Sequence, residues 1–317
     1  MSDKSQWWDV SWNPVTGCTP QSEGCAHCYA KRIHEKYFQA VKFEKVILHP
    51  ERLDQPSRMK KGKVIFVDSM SDLFHEKVPF EFIGQVFDVM QKNPQHTFIV
   101  LTKRDGRMLE FFEWLWEKGQ CGQKISVADN VWMGVTIENE GHKDRLVNLF
   151  KSPVRHRFVS IEPMLGPVDI YAWLVESPED TSHLVGCAPW ETIEWVICGG
   201  ETGRGVARPM QIDWVRSLRD HCAEAQVPFF FKQWGEFRPA NESEAGFGIG
   251  MISAGRNNSD RSVDGREWNE KPAELTPEPL RHGDSEEIYT CGHGMVIKKH
   301  DHMEVQLSLM GEDDGNG

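Results

Sequence analysis

The chain has 317 residues, 39% of them apolar, and a formal net charge of −12. That is material for one large domain or two smaller ones with a core of their own. Neither a basic segment leading into an apolar N-terminal run nor a stretch of about 18 apolar residues occurs, so the expected location is the cytoplasm, with no membrane span.

In chain order, the first expected strand lies around Val10–Trp12. Cys18, Cys25 and Cys28 follow in one glycine-bearing loop, and a helix is expected from near Tyr29. Lys63–Val67 reads as a buried strand, and Phe80–Gln91 as a helix with apolar residues at Phe82, Ile83, Val86, Phe87, Val89 and Met90. The alternation continues with a strand at Thr97–Thr102, a helix at Met108–Trp116 and a strand at Val131–Thr136. A helix around Asp144–Phe150 and a strand at Arg157–Ile161 precede an irregular stretch reaching Thr192. Trp195–Cys198, a helix near Asp213–Ala225 and Phe229–Phe231 close the series.

Strand–helix alternation at this rhythm predicts an α/β fold with parallel strands and helical crossovers. The count of about six to seven strands predicts a partial (β/α) barrel over residues 1–235. Chemistry in such folds sits at the C-terminal ends of the strands. Those ends are polar here: Asp68–Asp72, Lys103 and Arg104, Glu138 and Asn139, Glu162, Gly199–Glu201, and Lys232–Trp234.

From Glu236 onward Gly, Asn, Ser, Asp and Pro become frequent, which predicts a loop-rich acidic extension over 236–317 with a strand-like segment near Met303–Leu309. This part holds 17 acidic and 8 basic residues, leaving 31 against 28 in the body. A nearly neutral body is compatible with a local basic groove and a nucleic-acid partner.

Eight cysteines in a chain without a secretory segment point to reduced thiols and metal rather than disulfides. Three cysteines on one loop admit three readings. Three thiolates can hold a four-iron cluster with one iron open for a ligand. With His27 or His34 as fourth ligand they can form a structural zinc site. They can also be three metal-free thiols. Placement on a barrel rim favours the open cluster, because a structural zinc knuckle has no need of such a rim. Cys291, His293, His300 and His302 have spacings that suit a second metal, but they read better as exposed polar side chains. Cys198 and Cys222 read as small buried hydrophobes.

The run Trp12–Cys18, with Gly24, Cys25 and Cys28–Ala30, resembles the phage-borne three-cysteine family of radical S-adenosylmethionine proteins. The resemblance continues through His49–Leu53, Asp68–His75, Leu101–Arg104, Glu162–Pro167, Gly199–Glu201, Ala207–Met210, Phe229–Gly235 and Asp264–Trp268. It implies a partial barrel, a [4Fe-4S] cluster on Cys18, Cys25 and Cys28, and S-adenosylmethionine on the open iron. Two departures stand out. Six residues separate Cys18 from Cys25, where the commonest radical motif has three. The usual glycine-rich stretch before Asp264 is here Ser253–Ser259.

The cofactor so implied has its own demands. Its ammonium needs acceptors such as Asp68 or Ser69, and its carboxylate a cation such as Lys103 or Arg104. Its ribose needs acceptors such as Glu138 and Asn139, and its adenine a flat partner such as Tyr29 or Met164. Glu162 and Glu201 face the same rim. Plainer roles compete: Asp68 and Ser69 as turn caps, Arg104 as a solvated cation, Gly199–Glu201 as a turn, and Lys232 paired with a core-edge acid.

The resemblance also implies an electron donor such as flavodoxin or ferredoxin. It further suggests a substrate: an amino-acid-modified (glycyl) thymine in phage DNA, isomerised from a nitrogen to a carbon linkage. A base-repair lyase, another nucleic-acid-modifying radical enzyme, a zinc-stabilised nucleic-acid-binding module and an iron–sulfur redox sensor are the competing functions. The basic stretch Arg52, Arg58, Lys60, Lys61 and Lys63 is a candidate for DNA phosphates.

Overall fold

The computed structural model describes residues 6–118, 127–175, 192–241, 250–256, 258–277, 289–290 and 296–297. Seven strands form one all-parallel sheet: β1 (Val10–Trp12), β4 (Val64–Val67), β5 (Thr97–Thr102), β6 (Val131–Thr136), β7 (His156–Ile161), β8 (Trp195–Gly199) and β9 (Phe229–Gln233). They lie in that spatial order, with β1 and β9 as the two edges, and curl into a half-barrel. Two short strands, β2 (Val15–Thr16) and β3 (Ile47–Leu48), pair separately in antiparallel fashion beside the rim.

The strands read as near-continuous apolar runs because both faces are covered. The outer face packs under helices α2 (Phe80–Gln91), α3 (Asp105–Lys118), α4 (Arg145–Lys151), α5 (Tyr171–Val175) and α6 (Ile212–Glu224). Phe82, Ile83, Val86, Phe87 and Met90 are the buried stripe of α2, as their spacing predicts. The inner face carries Trp7, Phe66, Ile99, Trp132, Phe158, Trp195, Ile197 and Phe230, an aromatic plug toward the N-terminal ends of the strands. Gly134 belongs to this packing. A Cβ there would stand 2.5 Å from the Phe158 ring.

The seven expected strands are all present, and helix ends moved by up to three residues. The expected helix at Met108–Trp116 runs longer, over Asp105–Lys118. Tyr171–Val175, inside the expected irregular stretch, is helical. Cys198 and Cys222 are fully buried.

Beyond β9 the described segments stay against the half-barrel through Leu275. Hairpin β10 (Phe237–Pro239) and β11 (Met251–Ser253) is followed by β12 (Ser262–Val263) and β13 (Arg266–Glu267). Asp264 and Gly265, with φ of 53° and 74°, make the two-residue turn that an Asp-Gly pair favours. The Asp264 carboxylate then accepts from Arg216 and Arg219 on α6. Phe231 N–H donates to Trp268 O, and Glu270 N–H donates to Phe229 O, so this segment covers the β9 edge. Strands β14 (Tyr289–Thr290) and β15 (Val296–Ile297) pair with each other. The strand-like segment at Met303–Leu309, and Cys121, Cys187, Cys291, His293, His300 and His302, lie outside the described residues. Among the described residues no helix is long and apolar enough to cross a membrane.

Candidate functional site: a cysteine loop clamped on the barrel rim

The loop between β2 and helix α1 (Tyr29–Tyr37) carries Cys18, Cys25 and Cys28, all half-buried free thiols. It lies over the C-terminal ends of the sheet. Its entry is stitched by backbone: Gly17 N–H donates to Met70 O, and Cys18 N–H to Phe43 O. Gly17 has a φ of 88°, and a Cβ there would meet Lys45 O at 2.3 Å, so only glycine fits this crossing.

Asp68 sits at the end of β4 in a left-handed conformation, φ 57°, and is buried. Its Oδ1 accepts from Val15 N–H at 2.9 Å. Its Oδ2 has no hydrogen-bond partner, and the nearby Ser71 hydroxyl donates to Val15 O. Burial, opposed by the Val15 N–H, drives this carboxyl far above its ordinary range. Ser69 donates to Asn13 Oδ1, and its carbonyl accepts from the Tyr29 hydroxyl at 2.6 Å.

Arg104 and Asp72 form the first clamp. Asp72 accepts from Thr102 Oγ1, Phe74 N–H, Lys103 N–H and Arg104 Nη1, joining the ends of β4 and β5. Arg104 donates Nε to Glu76, Nη1 to Asp72 and to Cys18 Sγ at 3.5 Å, and Nη2 to Thr19 O and Oγ1. A guanidinium has five N–H donors, and these contacts use them all. Arg104 therefore holds the loop and has no donor left for a ligand carboxylate. Burial pushes the Cys18 thiol up to about 12; Asp72 adds to this and Arg104 opposes it. The metal-free Cys18 is thus a thiol at neutral pH, and metal binding there would release its proton.

Glu138 forms the second clamp, at the end of β6. It is fully buried, with Oε1 accepting from Lys103 Nζ at 2.5 Å and from the Ser22 hydroxyl, and Oε2 accepting from Arg145 Nη1 at 2.8 Å. Burial alone would raise this carboxyl, but Lys103 and Arg145 outweigh it and the net direction is down. Gly24 lies directly on it: a Cβ would stand 2.6 Å from Glu138 Oε1. Asn139 donates Nδ2 to Glu23 and caps the next turn by accepting from Gly141 N–H.

The third clamp is Glu201 with Arg208. Arg208 donates to both Glu201 carboxylate oxygens and, through Nη2, to Glu23 O at 2.9 Å. Gly200 and Gly235 let two backbones touch. A Cβ on Gly200 would meet Trp234 O at 2.0 Å, and one on Gly235 would meet Glu201 O at 2.2 Å. Lys232 pairs with Glu162 at 2.6 Å, the core-edge acid of the plainer reading. Met164 is fully buried beside Cys198, so it faces the core rather than the rim.

The structure thus brings Arg104, Glu138, Asn139 and Glu201 together around the cysteine loop, leaves Lys103 bridging two strand ends, and pairs Glu162 with Lys232. Asp72, Ser22, Arg145 and Arg208 complete the clamps. Asp72 and Arg208 lie inside runs that the sequence singles out; Ser22 and Arg145 carry no sequence signal.

The donor set suits a thiolate-bound cluster. Cys25 Sγ accepts from Gln21 N–H at 3.5 Å, and Cys18 Sγ from Arg104 Nη1 at 3.5 Å. Among the described residues no three His, Cys, Asp or Glu side chains form a group that could hold a metal ion. His34 is committed elsewhere: its Nε2 bonds Val41 O at 2.7 Å and its ring packs against Phe38 and Phe43. The basic stretch Lys60–Lys63 leads into the N-terminal end of β4, on the side of the sheet opposite this rim.

No curated protein and no solved structure matches the chain. The model of the family described as "Protein of unknown function (DUF5131)" matches residues 2–272, most of the chain and nearly all of the half-barrel with its docked hairpins, and the chain belongs to that family.

Proposed function

We propose that this protein is a radical S-adenosylmethionine enzyme that acts on a modified nucleobase. The observation that carries the reading is the loop of three free cysteines, held at the C-terminal rim of a parallel half-barrel by charged residues at and beside several strand ends. Cys18, Cys25 and Cys28 would hold a [4Fe-4S] cluster. Such a cluster, with S-adenosylmethionine on its open iron, supplies one-electron cleavage of the sulfonium and removal of an unactivated hydrogen atom. Arg104, Glu138 and Arg208 position the loop. Lys103, with one of its three N–H donors drawn to Glu138, is the rim cation for the ligand carboxylate. Ser69 and Asn139 lie at the strand ends where its ammonium and ribose would sit. The paired Glu162 and Lys232 face the substrate side of the same rim.

The substrate we propose is glycyl-modified thymine, in which one C–N bond is exchanged for one C–C bond and a hydrogen passes from carbon to nitrogen. Composition is unchanged, so the net reaction consumes no oxidant. An external donor such as flavodoxin or ferredoxin would supply the priming electron. Anaerobic reconstitution with iron and sulfide, followed by dithionite and S-adenosylmethionine, should yield 5′-deoxyadenosine by mass spectrometry. A Cys18/Cys25/Cys28 triple alanine variant should yield none. Zinc in place of iron in anaerobically purified protein, with no deoxyadenosine, would sink the reading in favour of a zinc-stabilised binding module. Deoxyadenosine formed with damaged or RNA bases, but not with glycyl-thymine, would move the substrate to repair or RNA modification.

A further inference from the structure

Helix α1 leaves the rim directly after Cys28 and carries an exposed, mostly aromatic stripe. Tyr29, Ile33 and Tyr37 recur at intervals of four, so they lie along one face. They are 45%, 40% and 66% exposed, and Phe38 beside them is 57% exposed. Large apolar side chains this open, grouped on one helix, mark an interaction surface. The upper end of the stripe is tied to the mouth, because the Tyr29 hydroxyl donates to Ser69 O at the end of β4.

The same segment is basic in an acidic protein. Residues 29–45 hold Lys31, Arg32, Lys36, Lys42 and Lys45 against Glu35 and Glu44, while the chain carries −12. Lys31 takes both acids, with Glu44 at 2.7 Å and Glu35 at 3.8 Å. The Lys36 ammonium sits 5.0 Å from the Tyr37 ring centroid. Arg32 bonds Thr202 Oγ1 at 2.8 Å, which carries the surface across to the exposed Arg204 and Val206.

We infer that α1 and the adjoining 202–206 turn form a docking platform for single-stranded nucleic acid leading into the barrel mouth. Phosphates require the uncompensated cations, and flat exposed rings beside cations suit unstacked bases, which a duplex keeps inside. The inference deepens the nucleobase reading above by assigning a polymer substrate, presented as an open strand.

The test is fluorescence anisotropy of a labelled oligothymidylate of about 12 nucleotides with the full chain across a salt series. Wild type should bind, with affinity falling as salt rises. Tyr37→Ala and Phe38→Ala should each weaken binding about fivefold or more, while Tyr37→Trp should retain it. Lys36→Gln and Lys42→Gln should each flatten the log–log salt slope by about 0.7. Absence of salt-dependent binding by wild type, or alanine variants that fold and bind like wild type, overturns the platform. So does a dimer by sedimentation that the alanine variants lose, since that gives the surface to a second copy. Deoxyadenosine formation in the absence of nucleic acid is measured on the same preparations. Its loss without loss of binding condemns the radical reading alone, and the reverse pattern condemns the platform alone.

Discussion

Arg104 shows how a residue changes meaning once its neighbours are known. From the sequence it is a rim cation of undetermined use; in the fold its five donors are spent on Glu76, Asp72, Cys18 and Thr19. It was legible that a cation stood there, but which of Lys103 and Arg104 stayed open to a ligand depends on contacts between strands far apart in the chain. Arg104→Lys removes the planar fork that reaches the loop and Asp72 together. We expect it to lower iron incorporation severalfold in reconstituted protein. Lys103→Met should weaken S-adenosylmethionine binding, read by equilibrium dialysis, more than it lowers iron content. The opposite order would transfer the ligand role to Arg104. Asp72→Ala leaves a buried guanidinium short of its partner and should cost about 3 kcal/mol in urea unfolding. Gly200→Ala should be as damaging, because the atom it strikes is the backbone carbonyl of Trp234, which cannot swing aside.

At the level of elements, periodicity was enough to place the strands and the longer helices, because burial of one stripe or of whole runs dictates them. Cap geometry was not legible. Helix α6 ends in a Schellman motif: Val227 N–H donates to Cys222 O and Gln226 N–H to Ala223 O, with Gln226 at φ 57°. Glutamine has no preference for that left-handed conformation, so the sequence marked the stop only through Pro228 and not through the cap itself. Gln226→Gly should relieve the strain and raise stability by about 0.5–1 kcal/mol, seen as a higher urea midpoint with unchanged slope. The hairpin docked on α6 has a pH signature. Hydrogen bonds from Arg216 and Arg219 hold the Asp264 carboxyl down to about 2 from an ordinary 3.8. A depressed acid contributes stability above its ordinary value and loses it as pH falls toward the folded one. Because the pair is largely open to solvent, the contribution should be about 1 kcal/mol or less. Asp264→Asn should therefore unfold more easily than wild type at neutral pH, and the gap should close as pH falls from about 3.8 toward 2.

For the whole molecule, the composition change at Glu236 marks a shift from strand–helix units to hairpins, and it reads in sequence as the start of a loop-rich extension. Part of that extension is tied to the half-barrel by backbone acceptors, which leave no pattern in side-chain chemistry. Trp234 Nε1 donates to Ser262 O, Trp195 Nε1 to Glu270 O, and Phe231 N–H to Trp268 O. Arg261 reaches back to Lys232 O, and Leu275 joins the aromatic plug of the inner face. A chain cut after Gly235 would strip partners from these donors, two of them on tryptophan side chains that are fully buried, and would bare the β9 edge. Each stranded donor costs about 1–3 kcal/mol, against a total stability of about 5–15 kcal/mol for a typical domain. The 1–235 fragment should accordingly fail to give a cooperative urea transition and should aggregate through its open edge. If it unfolded cooperatively at the midpoint of the full chain, the half-barrel would be complete at Gly235, and the hairpins would be an appendage rather than its last wall.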